Sequence, residues 1–149
     1  MRSFLVRNKR PLWKWRDIPE GVMFKGEIPE GYDLAISPGP GIIIIDIDMH
    51  GEKDGYSSIP NDIIVELSYT LNYKTRGNGR HCWLRYTGDK TLANKTSNLG
   101  IDSRIEDKGY VVWYNDRPIE DCIDEINFTS KRMNEWIESI FTTKTKLKR

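Results

Sequence analysis

The chain has little of what disulfide-stapled, zinc-binding or membrane-embedded proteins depend on, with 2 cysteines and 2 histidines in 149 residues. Cys82 and Cys122 are too far apart to form a short metal-binding pair and could close one disulfide at most, so both are read as packing residues of a reducing compartment. The longest aliphatic run is only Ile42 to Ile45, far below membrane-spanning length. The first ten residues meet charge before a secretory apolar segment could form, so no signal peptide is read and cytoplasmic residence is expected. A large basic excess is also lacking. The net charge is +1, and four positive charges, Lys144, Lys146, Lys148 and Arg149, sit in the last six residues. Proteins that grip duplex DNA over their whole surface are usually strongly basic, so any nucleic-acid contact here is expected to be local. There is no internal repeat and no linker. The length fits one domain, residues 1–141, followed by a basic tail, 142–149, expected to fray.

What is present begins with Gly41-Ile42-Ile43-Ile44-Ile45-Asp46-Ile47-Asp48. A run this apolar and β-branched reads as a buried central strand. It is entered through the turn Ser37-Pro38-Gly39-Pro40-Gly41 and left through the polar loop His50-Gly51-Glu52-Lys53-Asp54-Gly55. Side chains at i and i+2 of a strand point the same way, so Asp46 and Asp48 can serve one hard cation. A calcium loop starting at Asp46 is rejected, because it needs an oxygen ligand where His50 sits and Glu where Ser57 falls.

Residues 60–71 read as a helix covering the sheet, with Pro60 in its first turn, Asp62 near its positive end and Ile63, Leu67 and Leu71 on one stripe. Residues 73–86 read as a hairpin around Arg76-Gly77-Asn78-Gly79-Arg80, adjacent to the Asp46 strand. By alternation His81, Trp83 and Arg85 share one face, while Cys82, Leu84 and Tyr86 share the other, which is read as the core face. Tyr110-Val111-Val112-Trp113-Tyr114 reads as a further strand. Thr129 or Ser130 can cap a final helix bearing Met133, Trp136, Ile137, Ile140 and Phe141 on one face, a stripe for the core or a partner such as a helicase. In the Pro-, Gly- and charge-rich first forty residues, Trp13 and Trp15 are read as packing an irregular segment onto the core.

His81 beside Arg76, Arg80 and Arg85 suits a polyanion such as a triphosphate, because guanidinium forks match phosphate oxygens and a glycine-bearing turn offers backbone N–H groups. Asp102, with Arg104 two residues on, adds a third carboxylate from another element, which a two-metal site bracketing attacking and leaving oxygens would use.

Asp-x-Asp over 41–48, Gly-x-His over 75–85 and Ile-Asp ahead of Gly-Tyr-Val-Val over 99–112 follow one another in an order that resembles the archaeo-eukaryotic primase superfamily. More closely the chain is similar to the bifunctional primase-polymerase (Prim-Pol) branch of phages and plasmids. Lys9-Arg10-Pro11-Leu12-Trp13 also resembles that branch's N-terminal Lys-x-Pro segment, so the likeness spans roughly residues 9–114. Gly79 stands where many relatives carry serine, and Trp113-Tyr114-Asn115 where the branch often has proline and serine.

The resemblance implies an α/β (α+β) fold built on a mixed, largely antiparallel sheet with an RRM-like half and packed helices. It implies metal binding by Asp46, Asp48 and Asp102 with Mg²⁺ or Mn²⁺, and phosphate contact by His81, with Arg76, Arg80, Arg85 and Arg104 as further nucleotide-binding positions. The implied activity is a small DNA primase-polymerase joining nucleoside triphosphates on a single-stranded DNA template in replication, beside a separate helicase. Two rivals stay open: a non-catalytic nucleotide- or strand-binding replication accessory with a degenerate core, and a metal-dependent nuclease using water as nucleophile.

Overall fold

The computed structural model describes residues 1–143. Its elements in chain order are β1 (Arg2–Arg7), β2 (Arg10–Pro11), β3 (Asp33–Ser37), β4 (Ile42–Ile47), α1 (Asn61–Tyr69), β5 (Asn72–Lys74), β6 (Arg80–Arg85), β7 (Ile101–Ile105), β8 (Val111–Val112), β9 (Asn127–Phe128) and α2 (Lys131–Phe141), with short 3₁₀ turns between. The class is α+β, as expected. The single sheet is replaced by two: β2-β1-β3-β8, and β5-β6-β4-β7 with β9 beside β6. Every pairing is antiparallel except that of β6 with β9.

Strand β4 lies inside the second sheet, between β6 and β7, so its backbone is paired on both edges. Its faces divide by alternation. Ile43, Ile45 and Ile47 meet Cys82 and Leu84 and the apolar sides of α1 and α2, including Ile63, Leu67, Met133 and Ile137. Ile42 and Ile44 meet Trp83, and across to the first sheet Ile36 and Val111. The reading of Cys82 and Leu84 as the core side is therefore half of the arrangement, because Trp83 on the other side is equally buried. Burial pushes the Cys82 thiol up to about 12, which suits a packing residue. Both cysteines are free and buried.

The first sheet comes from the segment read as irregular. Ser3-Phe4-Leu5-Val6 is buried throughout, paired with β3 from Arg2 opposite Ser37 to Val6 opposite Asp33. Trp15 stacks on Phe4 with ring centroids 5.5 Å apart, whereas Trp13 is 66% exposed and does not pack as expected. Helix α1 stops at Tyr69, and Leu71 leaves it to donate its backbone N–H to Glu125 O. The strand read over 110–114 is only Val111–Val112, although Trp113 N still donates to Leu34 O of β3 at 2.8 Å. Helix α2 is capped by Ser130, whose Oγ accepts from Met133 N at 3.0 Å, and it buries Met133, Trp136, Ile137 and Phe141 as its spacing predicts. Thr142 bridges to Leu92, and the rest of the expected tail, from residue 144, lies outside the described residues. Among the described residues no helix is long and apolar enough to cross a membrane.

Full burial of an isoleucine is worth about 1.5–3 kcal/mol, and truncation adds the cost of the void left behind. Ile45→Ala is accordingly expected to cost about 2–5 kcal/mol. Urea denaturation should show a lower midpoint at unchanged slope.

Candidate functional site

Register places the chemistry. Asp46 lies directly opposite His81 on β6 and directly opposite Asp102 on β7. Opposed residues of an antiparallel pair share a face, so the three form one row across three strands, on the side turned to the first sheet. The row beneath it is Trp83, Ile44 and Arg104. The apolar layer between the sheets thus ends where the carboxylates begin. Beyond that edge is a cavity of about 600 Å³, with Asp46, Asp48 and His81 from one sheet, Lys9 and Val111 from the first sheet's side, and Arg76 and Arg104 on its walls.

Asp48 lies one residue past β4 and is held by backbone alone. Its N–H donates to Gly100 O at 2.8 Å, and its carbonyl accepts from Gly55 N at 2.9 Å. The two glycines are pressed together, and a Cβ on Gly55 would stand 2.4 Å from Gly100 O. Gly79 is equally constrained, since a Cβ there would meet Ile47 O at 2.1 Å. Glycine at position 79 is thus dictated locally by the close approach of the turn to β4.

His81 is gripped from behind by a residue that the sequence reading missed. Tyr73, opposite His81 on β5, has its hydroxyl 3.1 Å from His81 Nδ1 and accepts the Trp83 Nε1–H at 3.1 Å. Burial pushes the Tyr73 phenol far above its ordinary value, so the hydroxyl keeps its proton. An indole can only donate, so the tyrosine proton is free to go to Nδ1, an arrangement that puts the ring hydrogen on Nε2. Nε2 stands 3.5 Å from Asp46 Oδ1, at the cavity. Tyr114 lies beside His81 with ring centroids 6.0 Å apart, and Arg76 lies over Tyr114 at 5.4 Å.

The expected residues divide. Asp46, Asp48, His81, Arg76 and Arg104 come together around the cavity. Asp102 belongs to the row but stands behind it, buried, with Oδ1 accepting from Ser97 N at 3.0 Å and Oδ2 3.6 Å from Arg104 Nη2. Arg80 and Arg85 do not reach the cavity. Alternation turns Arg80 to the helix side, where Nη1 donates to Asn72 Oδ1 at 2.8 Å. Arg85 lies at the far end of β6 and donates to the carbonyls of Ile123 and Ile126, both at 3.1 Å. Lys108, Asn94 and Tyr110 join the lining without having been singled out.

No family model and no curated protein matches the chain. The site is therefore judged on its chemistry. Among the described residues no three His, Cys, Asp or Glu side chains stand close enough to cage a metal ion. A pair suffices for the cation in question, since Mg²⁺ is commonly held by one or two carboxylates, with water and substrate phosphates completing its shell. Asp46 and Asp48 fit that role, whereas Asp102, already engaged by Ser97 and Arg104, does not present itself as a ligand. Burial, then the charges of Asp46 and Asp102, raise the Asp48 carboxyl above its ordinary value. Three carboxylates crowded in this way favour a cation.

Because Asp48 holds its proton more tightly folded than unfolded, stability is lost as pH rises from the ordinary value of 3.8 through the raised folded value. Ionised Asp48 therefore destabilises the metal-free protein at neutral pH. Asp48→Asn is expected to raise Tm at pH 7 in EDTA, and the gain should fade as pH is lowered past 3.8. Thermal melts across that range check it, and an equal gain at both ends would contradict the crowding.

Proposed function

We propose that this protein is a template-directed nucleotidyltransferase, a small primase-polymerase acting in DNA replication on nucleoside triphosphates and single-stranded DNA. The observation that carries the reading is the pairing of two functions in one cavity: carboxylates at the end of β4 and cationic or N–H donor groups around them. The likeness to the Prim-Pol branch supports the same reading from motif order, and the primase-type core with its RRM-like half belongs to this proposal.

The reaction joins a 3′-oxygen to the α-phosphorus of the incoming nucleotide, breaks the bond to the β-phosphate oxygen and releases pyrophosphate, with the 3′-hydroxyl proton passing to solvent. A Mg²⁺ or Mn²⁺ ion bound there would supply charge neutralisation on the reacting oxygens. Asp46 and Asp48 are the residues that would hold the cation. His81, turned by Tyr73, offers its Nε2–H to a phosphate oxygen. Arg76, Arg104 and Lys9 offset the triphosphate charge, and the turn around Gly77 lets backbone come close to it. In a polar site walled by two sheets such donors act without first having to reorganise.

The engagement of Asp102 by Ser97 and Arg104 favours one second reading, a binding-only accessory that holds nucleotide without turning it over.

Template-dependent incorporation of labelled nucleotide with Mg²⁺ or Mn²⁺ separates the two. Wild type is expected to incorporate and release pyrophosphate, and Asp46→Ala to fall to background. His81→Ala should lose about 10²–10³-fold in kcat, the cost of one preorganised donor. Nucleotide binding without pyrophosphate release would favour the accessory, and strand degradation in the absence of nucleotides a nuclease.

A further inference from the structure

We infer that the carboxylate cavity opens into a track for a single strand of nucleic acid, running past Tyr114 to Tyr32. The track deepens the nucleotidyltransferase reading and rests on it for its biological role, although strand binding itself needs no catalysis.

A second cavity, of about 480 Å³, is lined by Asn8, Lys9, Tyr32, Asp33, Arg76 and Tyr114 with the backbone of Gly31. It shares Lys9, Arg76 and Tyr114 with the first, so the two adjoin, and the track runs through both as one trench. Each tyrosine in it carries an arginine over its ring, Arg76 over Tyr114 at 5.4 Å and Arg7 over Tyr32 at 5.7 Å. Both rings are half-buried, held by their surroundings with part of each still open. A ring that can take a base, paired with a guanidinium that can take its phosphate, is the element from which sequence-tolerant single-strand grooves are made. Here Tyr114 and Arg76 both line the trench, and Tyr32 lines it with Arg7 over its ring from outside the lining.

Asn8 and Lys9 form the tip of the β1–β2 hairpin with φ of 50° and 64°. Asparagine tolerates that conformation, but lysine does so only where its surroundings require it. The Tyr110 hydroxyl fixes the tip by donating to Lys9 O at 2.9 Å. The backbone of Lys9 is thereby fixed where the two cavities adjoin. The acidic residue in the second cavity's lining, Asp33, is offset by Arg76 at 3.4 Å. With a net charge of +1 for the whole chain, a short track touching few phosphates fits better than a grip on duplex.

The test is fluorescence anisotropy of a labelled oligothymidylate of about a dozen nucleotides, within the usual site size, in EDTA and without nucleotide. Wild type is expected to bind, and Tyr32→Ala to bind about five- to a hundredfold more weakly. Tyr32→Phe should restore binding, which separates the ring from any loss of folding. Lys9→Gln should flatten the salt dependence by about one unit of slope. Phe128→Ala, at a 73% exposed ring outside the trench, should bind as wild type does. Absence of binding by wild type, or unchanged binding by Tyr32→Ala, overturns the track. Since neither metal nor triphosphate is present, Tyr32-dependent binding by a protein that never incorporates nucleotide would refute the catalytic reading alone.

Discussion

Strand β4 is hydrogen-bonded on both edges and covered on both faces, and the rest of the molecule is arranged around that constraint. Four isoleucines in succession have no face to give to water, so one side must be closed by α1 and α2 and the other by the first sheet. The carboxylates of Asp46 and Asp48 cannot enter either layer and emerge where the strand leaves them. Because β6 and β7 are in fixed register with β4, the position of Asp46 also determines those of His81 and Asp102. A slip of β4 by one residue would turn Asp46 into the helix-side core and break the row. The energetics of the core and the geometry of the site are therefore one problem.

The site itself is a balance of charge. Burial, and then the neighbouring carboxylates, raise Asp48, while Arg104, Arg76 and Lys9 stand near enough to attract a polyanion. Neither set satisfies the other fully. Asp102 is the exception, since Arg104 and the Ser97 N–H occupy it and it shapes the field without facing the cavity. A cation together with a triphosphate is complementary to both sets, since it answers the carboxylates and the basic wall with a single ligand. The Tyr73 hydroxyl, which also accepts from Trp83, holds the His81 ring with Nε2 at the cavity.

Strong local patterns made much of this legible from the residues alone. The β4 run, the hairpin around Gly77 and Gly79, the capped stripe of α2 and the shared side of Asp46 and Asp48 all follow from periodicity and turn chemistry acting at short range. The first sheet was not legible, because Ser3-Phe4-Leu5-Val6 is short, flanked by charge, and becomes a strand only through pairing with β3 far along the chain. The same holds for Leu71, whose spacing continues α1 but whose backbone is claimed by Glu125. Arg80 and Arg85 were grouped with His81 by proximity in sequence, yet alternation sends Arg80 to the opposite side and β6 carries Arg85 to its far end. Tyr73 escaped notice for the converse reason. It is eight residues from His81 in the chain but directly opposite in register, a relation that the hairpin's pairing reveals and the residue types do not.

The central claim is that Asp46 and Asp48 hold a divalent cation together with a triphosphate. Electron paramagnetic resonance of Mn²⁺, titrated with protein in the presence of a non-hydrolysable nucleoside triphosphate, tests it most directly. The account predicts that wild type depletes the signal beyond what the nucleotide does alone, and that the Asp46→Asn, Asp48→Asn double variant does not. Equal depletion by the two proteins, or none by wild type, would contradict it.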